Sequence, residues 1–204
     1  MKIITVTGYK GGVGKSTTAF HLATFFSEHG RTLLIDSDPN RSSLKWAERG
    51  AKSGGYCVPF RVADGNHALR MISESDYLII DTPARPQSDD LKDLATGGDL
   101  LILPTSPDIL SLEPMLETAR LLQGATYRAL ITVVPPLPSR EGQTMQRELR
   151  EAGVPVFGTM IRRTAGFAKA ALLGKPIRDL ETHRARLAWT DYKTLGNEIL
   201  EVIS

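Results

Sequence analysis

Short runs of β-branched and aliphatic residues recur along the chain: KIITVTG from Lys2, RTLLID from Arg31, YLIID from Tyr77, DLLILP from Asp99, YRALITVV from Tyr127 and VPVFG from Val154. Several are apolar at consecutive rather than alternate positions, the pattern of strands covered on both faces of a parallel sheet. Between them lie helical patterns. In KSTTAFHLATFFSEHG, Ala19, Leu22, Ala23 and Phe26 fall at helical spacing and Gly30 is the expected stop; others start near Ser42, Ile109 and Arg140. Strand alternating with helix predicts an α/β fold, a doubly wound and mainly parallel sheet with helices on both faces, whose ligands bind at the carboxyl ends of the strands.

No repeat or low-complexity linker interrupts the pattern, and the turn clusters near Ser53 and Pro135 are loop-sized. One domain over residues 1–204 is expected, with no room before the first strand for a separate DNA-reading module. Composition agrees: 204 residues that are 41% hydrophobic and 24% charged can form a core, and a net charge of +2 argues against disorder. The lone Cys57 excludes a disulfide scaffold. The apolar runs are too short to cross a bilayer, and MKIITVTG has neither the apolar stretch nor the cleavage site of a secretory leader, so a reducing cytoplasm is expected.

Charge is unevenly spread. Residues 1–161 carry 17 basic and 18 acidic side chains, whereas residues 162–204 carry 8 and 5. The excess basicity sits at the C-terminal end.

The segment TGYKGGVGKSTT, Thr7 to Thr18, falls between the first predicted strand and the first predicted helix, the context a phosphate-binding loop requires. Gly11, Gly12 and Gly14 let successive backbone N–H groups face one phosphate, and the helix start adds unpaired donors and its positive dipole end. Lys15 is placed to neutralise the β and γ phosphates, Ser16 to put its hydroxyl on Mg²⁺, and Thr17 to touch the α phosphate. The general pattern would have glycine at position 9, where this chain has Tyr9; instead Lys10 precedes the double glycine. KGGVGKS is the deviant Walker A motif, and here the chain resembles the ParA/MinD family of ATPases that position cargo inside bacterial cells.

The resemblance implies that the nucleotide is ATP with Mg²⁺, bound by Lys10, Gly11, Gly12, Val13, Gly14, Lys15, Ser16 and Thr17. It also implies that Lys10 reaches across a homodimer to the partner's nucleotide, so that ATP binding and pairing become one event. Lys10 as a solvated loop residue is the plain alternative. LLIDSDPN puts Asp36 and Asp38 on one side of a strand end, spaced two apart. By resemblance Asp36 helps hold the Mg²⁺ shell and Asp38 orients the attacking water, making Lys10, Lys15 and Asp38 the catalytic set; a simple Asp-Pro turn is the alternative. YLIIDTPA looks like the family's Walker B segment, with Asp81 joining Ser16 and Asp36 around the metal. The following loop, ARPQSDDL, would sense the nucleotide state. DLLILPTSPDILSLEP resembles the proline-bearing dimer segment, although prolines 104, 107 and 114 could equally punctuate strand ends.

In ParA-like proteins, C-terminal basic residues hold nucleoid DNA without sequence preference. Here Arg162, Arg163, Lys169, Arg184, Arg186 and Lys193 are the candidates, and a solvated surface is the alternative reading for each. The MinD branch instead ends in a basic membrane-binding helix, but the tail TLGNEILEVIS has Glu198 and Glu201 and no cation after Lys193, so no membrane partner is expected. The resemblance implies a cytoplasmic, nucleoid-associated ATPase working with a ParB-like or McdB-like adaptor on a plasmid, a chromosome origin or a protein body such as a carboxysome. Metabolic enzymes on the same fold form the competing class. His21, Trp46 and Trp189 read as packing residues.

Overall fold

The computed structural model describes residues 1–65, 68–86, 88–122 and 124–204. Six strands form one sheet in the order β3-β2-β4-β1-β5-β6: β1 Lys2–Gly8, β2 Thr32–Asp36, β3 Arg61–Asp64, β4 Tyr77–Ala84, β5 Leu100–Thr105 and β6 Tyr127–Ile131. Every pairing is parallel. The helices are α1 Lys15–Phe26, α2 Ser42–Gly54, α3 Leu69–Ile72, α4 Ser88–Thr96, α5 Ile109–Leu121, α6 Glu141–Glu151, α7 Gly166–Leu173 and α8 His183–Ile203, with a 3-10 turn at Ile177–Asp179 before α8.

The continuous apolar strands are explained by cover on both faces. Ile4 and Val6 of β1, Leu34 of β2 and Ile102 of β5 pack with α1 and α8, where Phe20, Phe26, Tyr192 and Leu195 are buried. On the opposite face Leu101, Leu103, Ala129 and Ile131 meet Leu91, Met115, Met145 and Leu149 of α4, α5 and α6. Leu33 and Ile35 alternate with Leu34 and pack beside Ala68.

Four local features depart from the sequence reading. RVAD, Arg61–Asp64, forms edge strand β3, which its charged ends disguised. VPVFG makes only an isolated bridge, Ala129 to Val156. The ladder cannot continue there because Pro155 has no N–H and the Gly158 and Thr159 amides, both at 2.8 Å, donate to the Glu198 carboxylate of α8. Helix α1 ends at Phe26, short of Gly30. Part of the proposed sensing loop is helical, since α4 starts at Ser88; Gln87 of that loop lies outside the described residues.

Helices α2 and α7 touch backbone to backbone. A Cβ on Gly174 (φ +67°) would lie 1.8 Å from the Gly50 nitrogen, so neither position tolerates a side chain without movement. Trp46 Nε1 donates to the Lys175 carbonyl at 3.0 Å and Arg49 Nε to the Ala171 carbonyl at 2.7 Å. These contacts seat α7 beside the mouth of the phosphate loop.

Candidate nucleotide-binding site

The loop from Tyr9 to Gly14 leaves the end of central strand β1, between β4 and β5, and runs into α1. Gly12 (φ +78°) and Gly14 (φ +83°) take left-handed conformations that open the loop into a cradle, and the space their Cβ atoms would fill is empty. Lys15 is buried, and its Nζ donates to the Lys10 carbonyl at 3.1 Å, closing the loop on itself. Burial lowers the Lys15 pKa, opposed by the Asp81 and Asp38 carboxylates. The Val13 side chain belongs to the core and only its backbone is free to face a phosphate; its carbonyl accepts Thr132 Oγ1 at 2.7 Å, fixing the loop to the end of β6. Ser16 and Thr17 are half-buried at the start of α1.

The side chain of Lys10 turns the other way. Its Nζ donates to Asp108 Oδ1 at 2.9 Å, to Asp108 Oδ2 at 3.1 Å and to Ser111 Oγ at 2.8 Å. One residue thus braces its own loop through its carbonyl and reaches out through its ammonium.

Register brings the acidic residues together: Asp36 stands opposite Asp81, which stands opposite Val6 at the end of β1. Asp36 shapes the loop into α2, accepting the Asp38 amide at 3.1 Å and the Leu44 amide at 2.9 Å. Asp38 accepts the Asn40 amide at 2.8 Å and remains half-exposed on the wall of the cleft. Asp81 is wholly buried. Its Oδ2 accepts Ser43 Oγ at 2.7 Å, the nearby Ser16 hydroxyl helps stabilise its charge, and Oδ1 has no hydrogen-bond partner. Burial pushes its carboxyl up to about 6 despite the opposing Ser43 and Ser16 hydroxyls. A buried carboxylate oxygen without a donor, beside the Ser16 hydroxyl, fits a hard cation that takes oxygen ligands and keeps several waters. Among the described residues no cluster of three or more acidic, His or Cys side chains forms a cage, so a cation here would depend on phosphate and water for the rest of its shell.

A cleft of about 640 Å³ is walled by Gly12, Lys15, Thr17, Asp38, Lys45 and Arg49. A recess of about 260 Å³ shares Gly12, Gly14 and Thr17 and runs toward Val133, Arg163, Phe167 and Tyr192. The phosphate cradle therefore opens on two sides, with room for a nucleoside. A larger concavity of about 740 Å³ lies at the opposite end of the sheet, by Arg31, Phe60 and Asp76. It has none of the phosphate-binding geometry. Sequence reasoning missed Ser43, Thr132, Asp108 and Ser111, because a lone serine, threonine or aspartate carries no signal until the fold sets it against Asp81 or Lys10.

The basic candidates separate. Arg162 is engaged within the chain: Nε and Nη2 each reach Asp191 at 2.6 Å, and its backbone amide reaches the same carboxylate at 3.2 Å. Arg163, Lys169, Arg184, Arg186 and Lys193 are exposed. On α8, Arg184 and Arg186 are about 200° apart, whereas Arg186 and Lys193, seven residues apart, share a side. His21 is fully buried, as expected of a packing residue.

The CobQ/CobB/MinD/ParA nucleotide-binding domain profile matches residues 4–177. The maintenance of carboxysome distribution protein A of Gloeobacter kilaueensis is 36% identical over 202 residues, covering 97% of this chain and 94% of that protein. Its namesake from Halothiobacillus neapolitanus is 26% identical over 207 residues, covering 97% and 95%. Among solved structures, the ATP complex of a Cyanothece McdA variant superposes with a TM-score of 0.74 at 16% identity, covering 99% of this chain and 96% of that one. At that identity the superposition speaks for the fold.

Proposed function

The chain belongs to the CobQ/CobB/MinD/ParA nucleotide-binding domain family, and from that premise we propose that it is a Mg²⁺-dependent, dimer-forming ATPase that distributes carboxysomes along the nucleoid. The observation that carries this reading is the KGGVGKS loop, folded as an open phosphate cradle beside a buried, half-satisfied Asp81, in a chain alike over nearly its whole length to a carboxysome distribution protein.

Each residue has a task the geometry supports. Backbone amides of residues 11–17 and the Lys15 ammonium bind the phosphates, and the start of α1 adds its dipole. Ser16 and Asp81 would hold Mg²⁺, with Asp36 shaping the adjoining loop; such an ion would supply positive charge against the phosphates. Asp38, half-exposed on the cleft wall, orients the water that attacks the terminal phosphate. Lys10, pointing outward, serves the nucleotide of a second copy, so that the dimer closes around two ATP molecules. Exposed cations toward the C-terminus then hold DNA without reading sequence, and an adaptor on the cargo accelerates hydrolysis and release.

The test is light scattering of the purified protein with ATP and Mg²⁺, beside tritiated-ATP binding. Dimer is expected with ATP and monomer without it. Lys15→Ala should lose nucleotide binding and pairing together, and Lys10→Ala should bind ATP yet stay monomeric. A Lys10→Ala protein that pairs like the parent would refute the cross-subunit role. Carboxysomes that stay evenly spaced after deletion of the gene would remove the cargo from the proposal.

A further inference from the structure

Lys10 and Asp108 meet across 98 residues of sequence, and the contact is more than a single ion pair. Asp108 precedes α5, and its carboxylate gathers Lys10 Nζ together with Ser106 Oγ at 2.5 Å and Ser111 Oγ at 2.9 Å. Ser111 Oγ in turn accepts from Lys10 Nζ at 2.8 Å, so ammonium, carboxylate and hydroxyl close a triangle. The ammonium has three N–H donors, and this cluster engages them within one chain.

We propose that Asp108 is a positioning residue that latches Lys10 in the single subunit and sets the threshold at which ATP drives two subunits together. The proposal rests on the reading of Lys10 as the cross-subunit lysine. To meet a phosphate held by a second copy, Lys10 must leave Asp108 and Ser111. The phosphate has to outcompete a carboxylate already in place, and a nucleotide with fewer phosphate charges competes less well. The latch is also built to open. The Lys10 and Asp108 side chains are 43% and 42% exposed, so solvent screens the pair and a second subunit can reach it. Ser106 and Ser111 hold the carboxylate in place once Lys10 has gone, so the loop need not collapse when the latch releases.

An exposed pair of this kind shifts an equilibrium by no more than about fivefold, and two open for each dimer formed. Asp108→Asn keeps the shape and one acceptor oxygen but removes the charge. Its dimer dissociation constant in saturating ATP and Mg²⁺, measured by sedimentation velocity, is expected to fall by about five- to twenty-five-fold. Ser111→Ala, which removes one acceptor for Lys10, should move the same way by less, and it carries the test if Asp108→Asn folds poorly. The combination of Lys10→Ala with Asp108→Asn should pair no better than Lys10→Ala alone, an outcome that a merely structural role for Asp108 does not give. Pairing of Asp108→Asn at the parent's threshold, or more weakly, overturns the latch while leaving the cross-subunit lysine intact, provided Lys10→Ala still fails to pair. Pairing of Lys10→Ala itself overturns the reading beneath it.

Discussion

Ser43 Oγ donates a 2.7 Å hydrogen bond to Asp81 Oδ2, joining the first turn of α2 to the end of β4 inside the phosphate pocket. Both side chains are completely buried. Helix α2 also lends Lys45 and Arg49 to the cleft, so this bond ties the wall of the nucleotide site to its acidic floor. Ser43→Ala would remove the hydroxyl bonded to Oδ2 from a carboxylate whose Oδ1 already lacks a partner. A hydrogen bond to a charged buried group contributes about 1.5–3 kcal/mol, and the variant should lose stability on that order, read by urea unfolding at pH 7.5. Ser43→Thr keeps the hydroxyl and should recover most of the loss. Equal stability of Ser43→Ala and the parent would mean the bond contributes nothing net.

How much of this was legible beforehand differs from element to element. The phosphate loop could be read because its requirements are local: glycines at fixed offsets, Lys15 and Ser16 at the head of a helix, a strand before them. Asp36 and Asp81 could be read as strand-end carboxylates, and the sheet register then places them opposite each other. Ser43, Thr132, Asp108 and Ser111 could not, because each acts through a partner far away in sequence and none has a distinctive spacing. β3 was missed since RVAD has too few apolar residues to show a period. VPVFG was overread since nothing in its composition reveals that Glu198 takes the amides a strand would need. The basic C-terminal segment was legible as a charge excess, but its division into an internally paired Arg162 and exposed Arg186 and Lys193 required α8 to be built.

That division makes a prediction about DNA. Arg162 is committed to Asp191 through two 2.6 Å contacts, whereas Arg186 and Lys193 stand exposed on one side of α8. Reversing both, Arg186→Glu with Lys193→Glu, should weaken ATP-dependent binding to a random duplex by at least about tenfold at 100 mM salt and reduce the salt slope by about two per subunit, as expected for two lost phosphate contacts. Arg162→Ala should act chiefly on stability, leaving Asp191 without its partner. Fluorescence anisotropy and thermal melting of the same samples separate the two effects. Loss of DNA affinity in Arg162→Ala with an unchanged melting temperature would reverse the assignment.

His21 links the phosphate-loop helix to the C-terminal segment, and its protonation should show in stability. Nε2 accepts the Ile177 amide at 2.9 Å, so Nδ1 carries the proton and donates to the Thr17 carbonyl at 2.7 Å. Tyr192 stacks on the ring at 4.8 Å. A second ring proton would face the Ile177 N–H, donor against donor. Burial is the largest cause that depresses the pKa to about 4; the Thr17 carbonyl opposes it and Arg178 adds to it. The unfolded chain protonates near 6.5, so folding is favoured fully above that pH. As pH falls from about 6.5 to 4, the unfolded state gains a proton the native state refuses, and about 3 kcal/mol is lost before the effect levels off. Asp81 acts in the opposite sense: its carboxyl, raised to about 6, makes the native state bind a proton before the unfolded one as pH falls from about 6 to 4. The two contributions partly cancel in the parent protein, so the difference between parent and His21→Gln isolates the histidine. His21→Gln should be the less stable at pH 7.5, and the gap should shrink by about 3 kcal/mol on going to pH 4, measured by urea titration at each pH. A gap that stays constant with pH would show that His21 titrates alike in both states and that the neutral bridge does not hold.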